Sequence, residues 1–264
     1  MNRISPVVKN LLIINVLFFL ATYVLSIQFH FDLTKKLALY YPGSDLFHPY
    51  QYITYMFMHG GMAHILFNMY ALWLFGTAIE NAWGGQRFLF YYLFTGIGAA
   101  VLHTLVNHFV FSGMLSTITA FQNAPSPELF KQFVESNKDY FNQSVYDFIN
   151  QWSLSPGDPG YAATALENMH RIYHSAINIP TVGASGAVFG ILLAFGMMYP
   201  NTQLMLLIPP MPVKAKWLVI GYGALELVLG VSQPGSSIAH FAHLGGMLFG
   251  YILIRYWIAQ ARRH

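Results

Sequence analysis

Six long apolar stretches constrain the fold of this chain more than any other feature of its sequence. Each meets or approaches the roughly 20 apolar residues that a helix needs to cross the hydrocarbon core of a bilayer. They lie near residues 10–28, 63–82, 88–111, 183–199, 216–233 and 238–258. Unbroken runs such as residues 11–25 do not alternate as the strands of a membrane β-barrel do. We therefore predict an all-α membrane protein with six transmembrane helices.

The composition agrees with a bilayer environment and excludes several functions. Hydrophobic residues make up 55% of the 264 and charged residues only 9%, whereas soluble domains carry about 25% charged residues. Without any cysteine, the chain has no disulfide, thiolate metal site or cysteine nucleophile. The net charge of +3 is scattered, without the basic stripe that nucleic-acid binding needs. No small-residue cleavage site follows the first apolar run, so we expect an uncleaved anchor.

The distribution of charges predicts an orientation. With the N-terminus in the cytoplasm, the cytoplasmic segments receive eight of the 13 basic residues, in agreement with the positive-inside rule. These are Arg3, Lys9, Arg87, Lys214, Lys216, Arg255, Arg262 and Arg263. The two long outer loops carry eight of the ten acidic residues. We therefore expect both termini in the cytoplasm, with Ser185 and His243 at the outer ends of the fourth and sixth helices.

Residues 112–180 form the least lipid-like part of the chain. They contain five prolines and most of the acidic residues, so we expect an extracytoplasmic insertion within a single membrane domain that covers residues 1–264. Apolar residues recur there at helical spacing before and after the break Ser-Pro-Gly-Asp-Pro-Gly at 155–160. This pattern predicts two amphipathic helices, which either pack on the protein and the lipid interface or help to gate or recruit a substrate.

Polar side chains at the predicted outer face indicate chemistry. Ser185 opens the fourth helix and His243 the sixth, while His64 and Asn68 are four apart on the second and therefore share a helix face. Such groups inside a membrane are functional candidates, because hydrocarbon cannot replace their hydration. Acyl transfer needs a nucleophile, a base within hydrogen-bond reach and donors for the developing oxyanion. These four residues can supply all of those parts.

Four motifs together resemble the rhomboid family of intramembrane serine proteases. They are His64-Ile-Leu-Phe-Asn68, Gly76-Thr-Ala-Ile-Glu80, Gly183-Ala-Ser185-Gly186, and Ala242-His243-Leu-Gly-Gly246 followed by Gly250. The resemblance implies a six-helix rhomboid bundle in which a Ser185–His243 dyad hydrolyses peptide bonds in or near transmembrane segments of membrane-protein substrates. We expect this hydrolysis to need no cofactor and no metal. We expect a multi-pass protein of the bacterial cytoplasmic membrane.

The resemblance also assigns roles to individual residues. Ser185 is the nucleophile, and His243 is the general base and then the acid that protonates the leaving amine. The backbone N–H of Ser185 and the side chains of His64 and Asn68 form the oxyanion hole, while Phe189 packs against the His243 ring. Small residues at Gly186, Gly190, Gly246 and Gly250 let the fourth and sixth helices approach closely.

Several alternatives stay open from the sequence. The chain could be a catalytically inactive rhomboid-like protein that binds membrane clients, or a small transporter, although it shows no convincing repeat. His240 is either a polar residue at the wet rim or a participant in catalysis. Glu226 either belongs to a proton path, pairs with another side chain inside the bundle, or lies near the rim. Glu80 matches a family position that braces loops by hydrogen bonding.

Overall fold

The computed structural model describes residues 4–205, 210–232 and 239–263. Arg3 and the predicted helix limits at 233 and 238 lie outside these residues. The chain divides into two compact units. The first comprises Met1–Leu39, Leu46–Thr104 and Pro180–His264, and the second comprises Tyr40–Asp45 and Leu105–Ile179. The boundaries of the second unit are close to those of the predicted insertion.

Helices dominate the described residues. The α-helices are α1 (Pro6–Phe29), α2 (Leu33–Leu37), α3 (Gln51–Thr54), α4 (Met62–Ala71), α5 (Thr77–Trp83), α6 (Gly85–Asn123), α7 (Pro127–Ser136), α8 (Ser144–Leu154), α9 (Pro159–Ile177), α10 (Ser185–Met198), α11 (Ala215–Ser232) and α12 (His240–Ala261). Tyr55–Phe57 and Lys138–Tyr140 are 3₁₀ turns, and Leu72–Gly76 is a π-helical turn that joins α4 to α5. Strands β1 (Gln203–Met205) and β2 (Pro212–Lys214) form a short antiparallel hairpin.

The predicted all-α membrane bundle is confirmed. In the described part of the chain, five helical segments are long and apolar enough to cross a membrane, namely Pro6–Phe29, Met62–Trp83, Gly85–Asn123, Ala215–Ser232 and His240–Ala261. The remaining predicted span corresponds to α10, which is shorter than predicted. It begins at Ser185 and not at 183, and it has 14 residues. Gly183 cannot belong to the helix, because its φ is 124° and its N–H donates to the carbonyl of Tyr55.

The core of the first unit surrounds α10. Gly186, Ala187, Val188, Gly190, Ile191, Leu192, Ala194, Phe195 and Gly196 are all buried in this helix. The outer helices instead expose large apolar side chains, including Leu17 on α1, Phe67 on α4 and Trp217 on α11. Such exposure suits helices that face lipid, where apolar surface needs no cover.

Helix α6 extends beyond its predicted end at 111 and runs for 39 residues to Asn123. In its C-terminal part, two hydroxyl groups bond back to carbonyls of the same helix. Thr117 donates to the carbonyl of Gly113 and Thr119 to that of Leu115, a pattern typical of hydroxyl residues within helices.

Three helices follow in the second unit, where the sequence predicted two. The first predicted helix divides into α7 and α8 because two asparagine side chains bond locally. Asn137 donates to the carbonyl of Phe133 and Asn142 accepts from the N–H of Ser144, which offers the backbone alternatives to a continuous helix. The second unit has a core of its own, with Trp152, Phe130 and Met169 fully buried.

Two buried polar side chains brace the first unit. Glu80 accepts hydrogen bonds from Ser5 Oγ at 2.5 Å, from Val7 N at 2.9 Å and from Val8 N at 2.8 Å. It thus satisfies amides at the N-terminus of α1 that have no acceptor within the helix. Gln51, which is fully buried, donates to the carbonyls of Lys36 and Leu46. Glu80 thus holds the start of α1, and Gln51 holds the backbone at Lys36 and Leu46.

Candidate active site

The segment before α10 is held by backbone hydrogen bonds. Thr181 and Leu39 exchange two of them, at 2.8 and 3.0 Å, and the N–H of Gly183 donates to Tyr55 at 2.9 Å. The left-handed backbone at Gly183 favours glycine, because a Cβ is strained at positive φ. A Cβ there would also lie 2.7 Å from His64 Nε2. These bonds start α10 at Ser185.

Ser185 and His243 are within hydrogen-bond distance of each other. His243 Nε2 lies 2.8 Å from Ser185 Oγ, although 58 residues separate them in the sequence. Ser185 is the first residue of α10 and His243 lies in the first turn of α12, so both occur at helix N-termini. An imidazole in this position can take the hydroxyl proton while the oxygen attacks an electrophile.

Close packing of α10 on α12 allows this distance. A Cβ added to Gly246 would overlap the carbonyl oxygen of Gly186, so the two backbones are in direct contact at this point. The sequence predicted a contact of this type between small residues on these two helices. It lies one helical turn or less from Ser185 and His243 in each helix.

Gly190 and Gly250 differ from the expectation. A Cβ on Gly190 would meet Thr95 at 2.8 Å, and the atom nearest a Cβ on Gly250 would be the hydroxyl of Tyr91. Both neighbours belong to α6. The Tyr91 hydroxyl also donates to the carbonyl of Gly190 at 2.8 Å. These two glycines therefore accommodate side chains of α6, and the direct backbone contact of α10 with α12 is at Gly186 and Gly246.

Phe189 stacks on the His243 ring. The ring centroids are 4.3 Å apart and the planes are inclined by only 3°. Phe189 follows Ser185 by four residues on α10 and so lies on the same face. The stacking limits the plane in which the imidazole can lie.

His64 and Asn68 project from α4, which packs against α10. The imidazole of His64 lies over Gly183, two residues before Ser185. Asn68 is buried, and its Nδ2 has no hydrogen-bond partner among residues 4–205, 210–232 and 239–263. A buried donor without a partner is costly and calls for an explanation. A ligand oxygen that appears only during a reaction would provide one.

His59 lies beside this group, just before α4. Its ring centroid is 5.2 Å from that of His64, with the rings edge to face. Burial, together with the nearby His64, lowers the pKa of His59 to about 4. His59 is therefore neutral at pH 7.

Glu226 and His240 are functional candidates whose arrangement the sequence left open. Glu226 Oε2 lies 2.6 Å from His240 Nδ1 and 3.0 Å from His243 Nδ1. This is a pairing inside the bundle, one of the three possibilities considered for Glu226. One feature of the sequence indicated that the two histidines could share a partner. His240 and His243 are three residues apart, which puts both rings on one face of α12.

The same three residues are the one group in the described part of the chain whose ligand atoms could hold a metal ion, all lying within 4.8 Å of one another. The distances favour hydrogen bonding. Zinc at about 2.0–2.1 Å from tetrahedral ligands would separate those ligands by roughly 3.3 Å. The 2.6 Å pair would have to move apart before an ion could enter.

The fold and the site together define a multi-pass membrane protein with a serine–histidine pair inside its helical bundle. The chain belongs to the rhomboid family, whose model, described as Rhomboid domain, matches residues 47–137 and 160–260. The predicted family is thus confirmed. The unmatched stretch between those ranges, 138–159, is narrower than the predicted insertion of 112–180.

Several relatives carry rhomboid names. The chain is 28% identical to Rhomboid protease GluP of Bacillus subtilis over 160 residues, which are 56% of this chain and 31% of that protein. It is 28% identical to RHOMBOID-like protein 12, mitochondrial, of Arabidopsis thaliana over 196 residues, 74% of this chain and 42% of that protein. Over 86 residues it is 34% identical to Rhomboid protein 1, mitochondrial, of Saccharomyces cerevisiae, covering 33% and 24% of the two chains. The chain thus spans between 24% and 42% of the length of these relatives.

Proposed function

We propose that this protein is an intramembrane serine endopeptidase in which Ser185 is the nucleophile and His243 the general base. The observation that carries the proposal is the 2.8 Å distance between Ser185 Oγ and His243 Nε2. The proposal is also supported by membership of the rhomboid family and by similarity to a relative named as a rhomboid protease.

The geometry supports a two-step acyl transfer. Ser185 Oγ attacks the scissile carbonyl carbon while its proton passes to His243 Nε2. The tetrahedral intermediate collapses as His243 returns that proton to the leaving nitrogen, and the C–N bond breaks. Water, deprotonated by His243, then attacks the acyl-enzyme, and Ser185 Oγ leaves with the proton. One peptide bond and one water molecule are consumed, and no cofactor is required.

Three donors are available for the oxyanion. The N–H of Ser185 belongs to the first turn of α10, where amides have no acceptor within the helix. Asn68 Nδ2 is buried without a partner among the described residues, and His64 lies over Gly183. Donors held ready in a site that excludes bulk water stabilise the developing charge strongly.

The substrates that fit this site are transmembrane segments of other membrane proteins. Their peptide bonds must leave the helical state to reach Ser185, because an intact helix hides its carbonyls in intrahelical hydrogen bonds. We therefore expect cleavage near small or helix-destabilising residues, close to the end of the bundle at which α10 and α12 begin.

We further propose the bacterial cytoplasmic membrane as the location, with both termini in the cytoplasm. Arg87, which lies 4.1 Å from the Trp257 ring centroid, supports this orientation together with Arg255. Basic residues mark cytoplasmic ends and tryptophan is enriched at membrane interfaces. Because the chain has no cysteine, the variants Lys9→Cys and Lys131→Cys each carry a single thiol, and an impermeant thiol reagent reports on which side of the membrane that thiol lies. Labelling from outside at 131 alone is expected, and the reverse pattern would overturn the orientation.

The central experiment is fluorophosphonate labelling of the purified protein, together with cleavage of a model transmembrane substrate. We expect the parent to be labelled and active, Ser185→Ala to be neither, and His243→Ala to lose both by a large factor. If no labelling depends on Ser185 and no substrate is cut, the protease proposal is wrong, and an inactive rhomboid-like role becomes the hypothesis to test.

A further inference from the structure

We propose that Glu226 is a positioning residue that orients His243, so that the site works as a Ser–His–Glu triad and not as a dyad. The effect of Glu226 on catalysis rests on the proposed function, whereas its effect on the orientation of the His243 ring does not. The atoms follow one another in order. Ser185 Oγ is 2.8 Å from His243 Nε2, and His243 Nδ1 is 3.0 Å from Glu226 Oε2.

The two ring nitrogens of His243 have different partners, and this decides the tautomer. A carboxylate can only accept, so the nitrogen beside Glu226 is the one that carries the proton in a neutral ring. Nε2 then keeps its lone pair and faces the Ser185 hydroxyl as an acceptor. Nδ1 has no aligned hydrogen bond among the described residues, and Glu226 Oε2 is its ion-pair contact at 3.0 Å.

Stacking on Phe189 cannot make this choice. A parallel aromatic surface at 4.3 Å limits the plane of the imidazole, but it is equally compatible with the ring turned over by 180°. Such a turn exchanges the positions of a ring nitrogen and a carbon. The carboxylate distinguishes them, because only an N–H donates a strong hydrogen bond to it.

His240 holds the carboxylate in place. Its Nδ1 makes a hydrogen bond of 2.6 Å to the same oxygen, Glu226 Oε2, that lies beside His243. His240 is 4% exposed and Glu226 8%. A buried carboxylate is expensive unless it is paired, and in the described part of the chain both of its ion-pair partners are histidines. The pairing thus stabilises the charge at the place where it can act on His243.

The contact with His243 is less direct than the one with His240. His240 makes the hydrogen bond, and His243 makes an ion-pair contact at 3.0 Å. Catalytic hydrogen bonds are often poorly aligned without substrate and improve in the complex. As His243 gains a proton from Ser185, the attraction to Glu226 grows. The carboxylate therefore favours the charged imidazole while remaining unprotonated itself.

Two measurements test the role of Glu226. Nitrogen-15 NMR of histidine-labelled protein, assigned by comparison with His243→Asn, reports which ring nitrogen carries the proton. We expect Nδ1–H in the parent and loss of this preference in Glu226→Gln, because an amide can donate as well as accept. In substrate cleavage, Glu226→Gln should lower kcat by up to about 10,000-fold with little change in KM, because the loss of a triad carboxylate leaves the base in the wrong tautomer. Glu226→Asp keeps the carboxylate and should recover part of both effects.

Glu80→Gln is the matched control, since it makes the same change at another buried carboxylate. It should leave the His243 signals and kcat of the folded protein unchanged. If the parent cleaves nothing but its tautomer depends on Glu226, the proposed function fails and the positioning role stands. Protonation of His243 on Nε2 in the parent overturns the role even if Glu226→Gln does not fold. An unaltered tautomer in Glu226→Gln, or a chelator-sensitive His243 signal that reveals a bound metal, overturns it as well.

Discussion

Phe189 lies parallel to the imidazole of His243, with ring centroids 4.3 Å apart and planes inclined by 3°. The contact joins α10 to α12 immediately beside the Ser185 hydroxyl. Tyr222 of α11 meets the Phe189 ring edge-on, with centroids 6.3 Å apart. The aromatic ring is therefore held between the base and a third helix.

Replacing Phe189 should slow catalysis by removing this surface. Aromatic stacking contributes about 0.5–1.5 kcal/mol, so Phe189→Ala should lower kcat by roughly 2- to 12-fold if the whole contact favours the reactive geometry. Phe189→Tyr keeps the surface and should retain parent activity. Cleavage kinetics on a model transmembrane substrate provide the measurement, and equal rates for Phe189→Ala and the parent would contradict the prediction.

Gly246→Ala should separate Ser185 from His243. The added methyl group overlaps the backbone carbonyl of Gly186, which cannot move as a flexible side chain can. A displacement of about 1 Å at reacting groups can cost about 100-fold in rate, and we expect a loss of that order together with a lower melting temperature. Gly221→Ala is the control, because no atom of the described residues outside the local helix backbone lies within 4 Å of the added carbon. Normal cleavage by Gly246→Ala would show that the close approach is unnecessary.

Asn68→Ala should reduce turnover without a comparable loss of stability. The Asn68 Nδ2 donor has no partner in the described part of the resting protein, so its removal breaks no hydrogen bond of the folded state. An oxyanion donor is worth about 100- to 1,000-fold in kcat. Cleavage rates and thermal melting of the same sample separate the two effects. A large fall in melting temperature with parent-like kcat would point to a structural role.

Glu80→Gln should destabilise the protein while leaving the chemistry intact. The Glu80 carboxylate accepts from Ser5 Oγ and from the amides of Val7 and Val8. Hydrogen bonds to charged groups contribute about 1.5–3 kcal/mol each, and the neutral amide should retain only part of this. Thermal melting in detergent measures the loss. Glu128→Gln, at an exposed position, should change the melting temperature little, and an equal effect of both variants would contradict the bracing role.

His59 should make stability depend on pH. Burial lowers its pKa in the folded protein from 6.5 to about 4, so between these values the unfolded chain binds a proton that the folded protein does not. Stability is therefore lost as the pH falls from about 7 towards 4. The melting temperature of the parent should fall more between pH 7 and pH 5 than that of His59→Asn. Parallel curves for the two proteins would rule out this contribution.

The membrane spans and the residues of the site follow from local patterns. Long apolar runs predict helices because hydrocarbon allows no unpaired backbone, and the motifs around Ser185 and His243 are short and contiguous. The start of α10 could not be predicted in the same way. It depends on the hydrogen bond from Gly183 to Tyr55, a residue more than a hundred positions away in the sequence.

Glu226 shows a second limit of sequence analysis. It occurs in an apolar helix, α11, that lacks a strong polar face, so the pattern does not reveal which neighbour the carboxylate meets. The rotation of α11 against α12 decides this, and rotation depends on packing among several helices. The end of α6 was missed for another reason. The apolar pattern that identifies a membrane span ends near residue 111, but it does not mark where the helix ends; hydroxyl groups such as that of Thr117 are satisfied within the continuing helix.

The shortness of α10 has a consequence for how the protein responds to its lipid environment. Its 14 residues extend only about 21 Å, less than the roughly 30 Å of a hydrocarbon core. Most of its residues are buried, so neighbouring protein and not lipid surrounds much of its length. Thinner or thicker bilayers act first on the tilt of the outer helices. We therefore expect the depth of Ser185 to follow the packing of the bundle more closely than the thickness of the surrounding membrane.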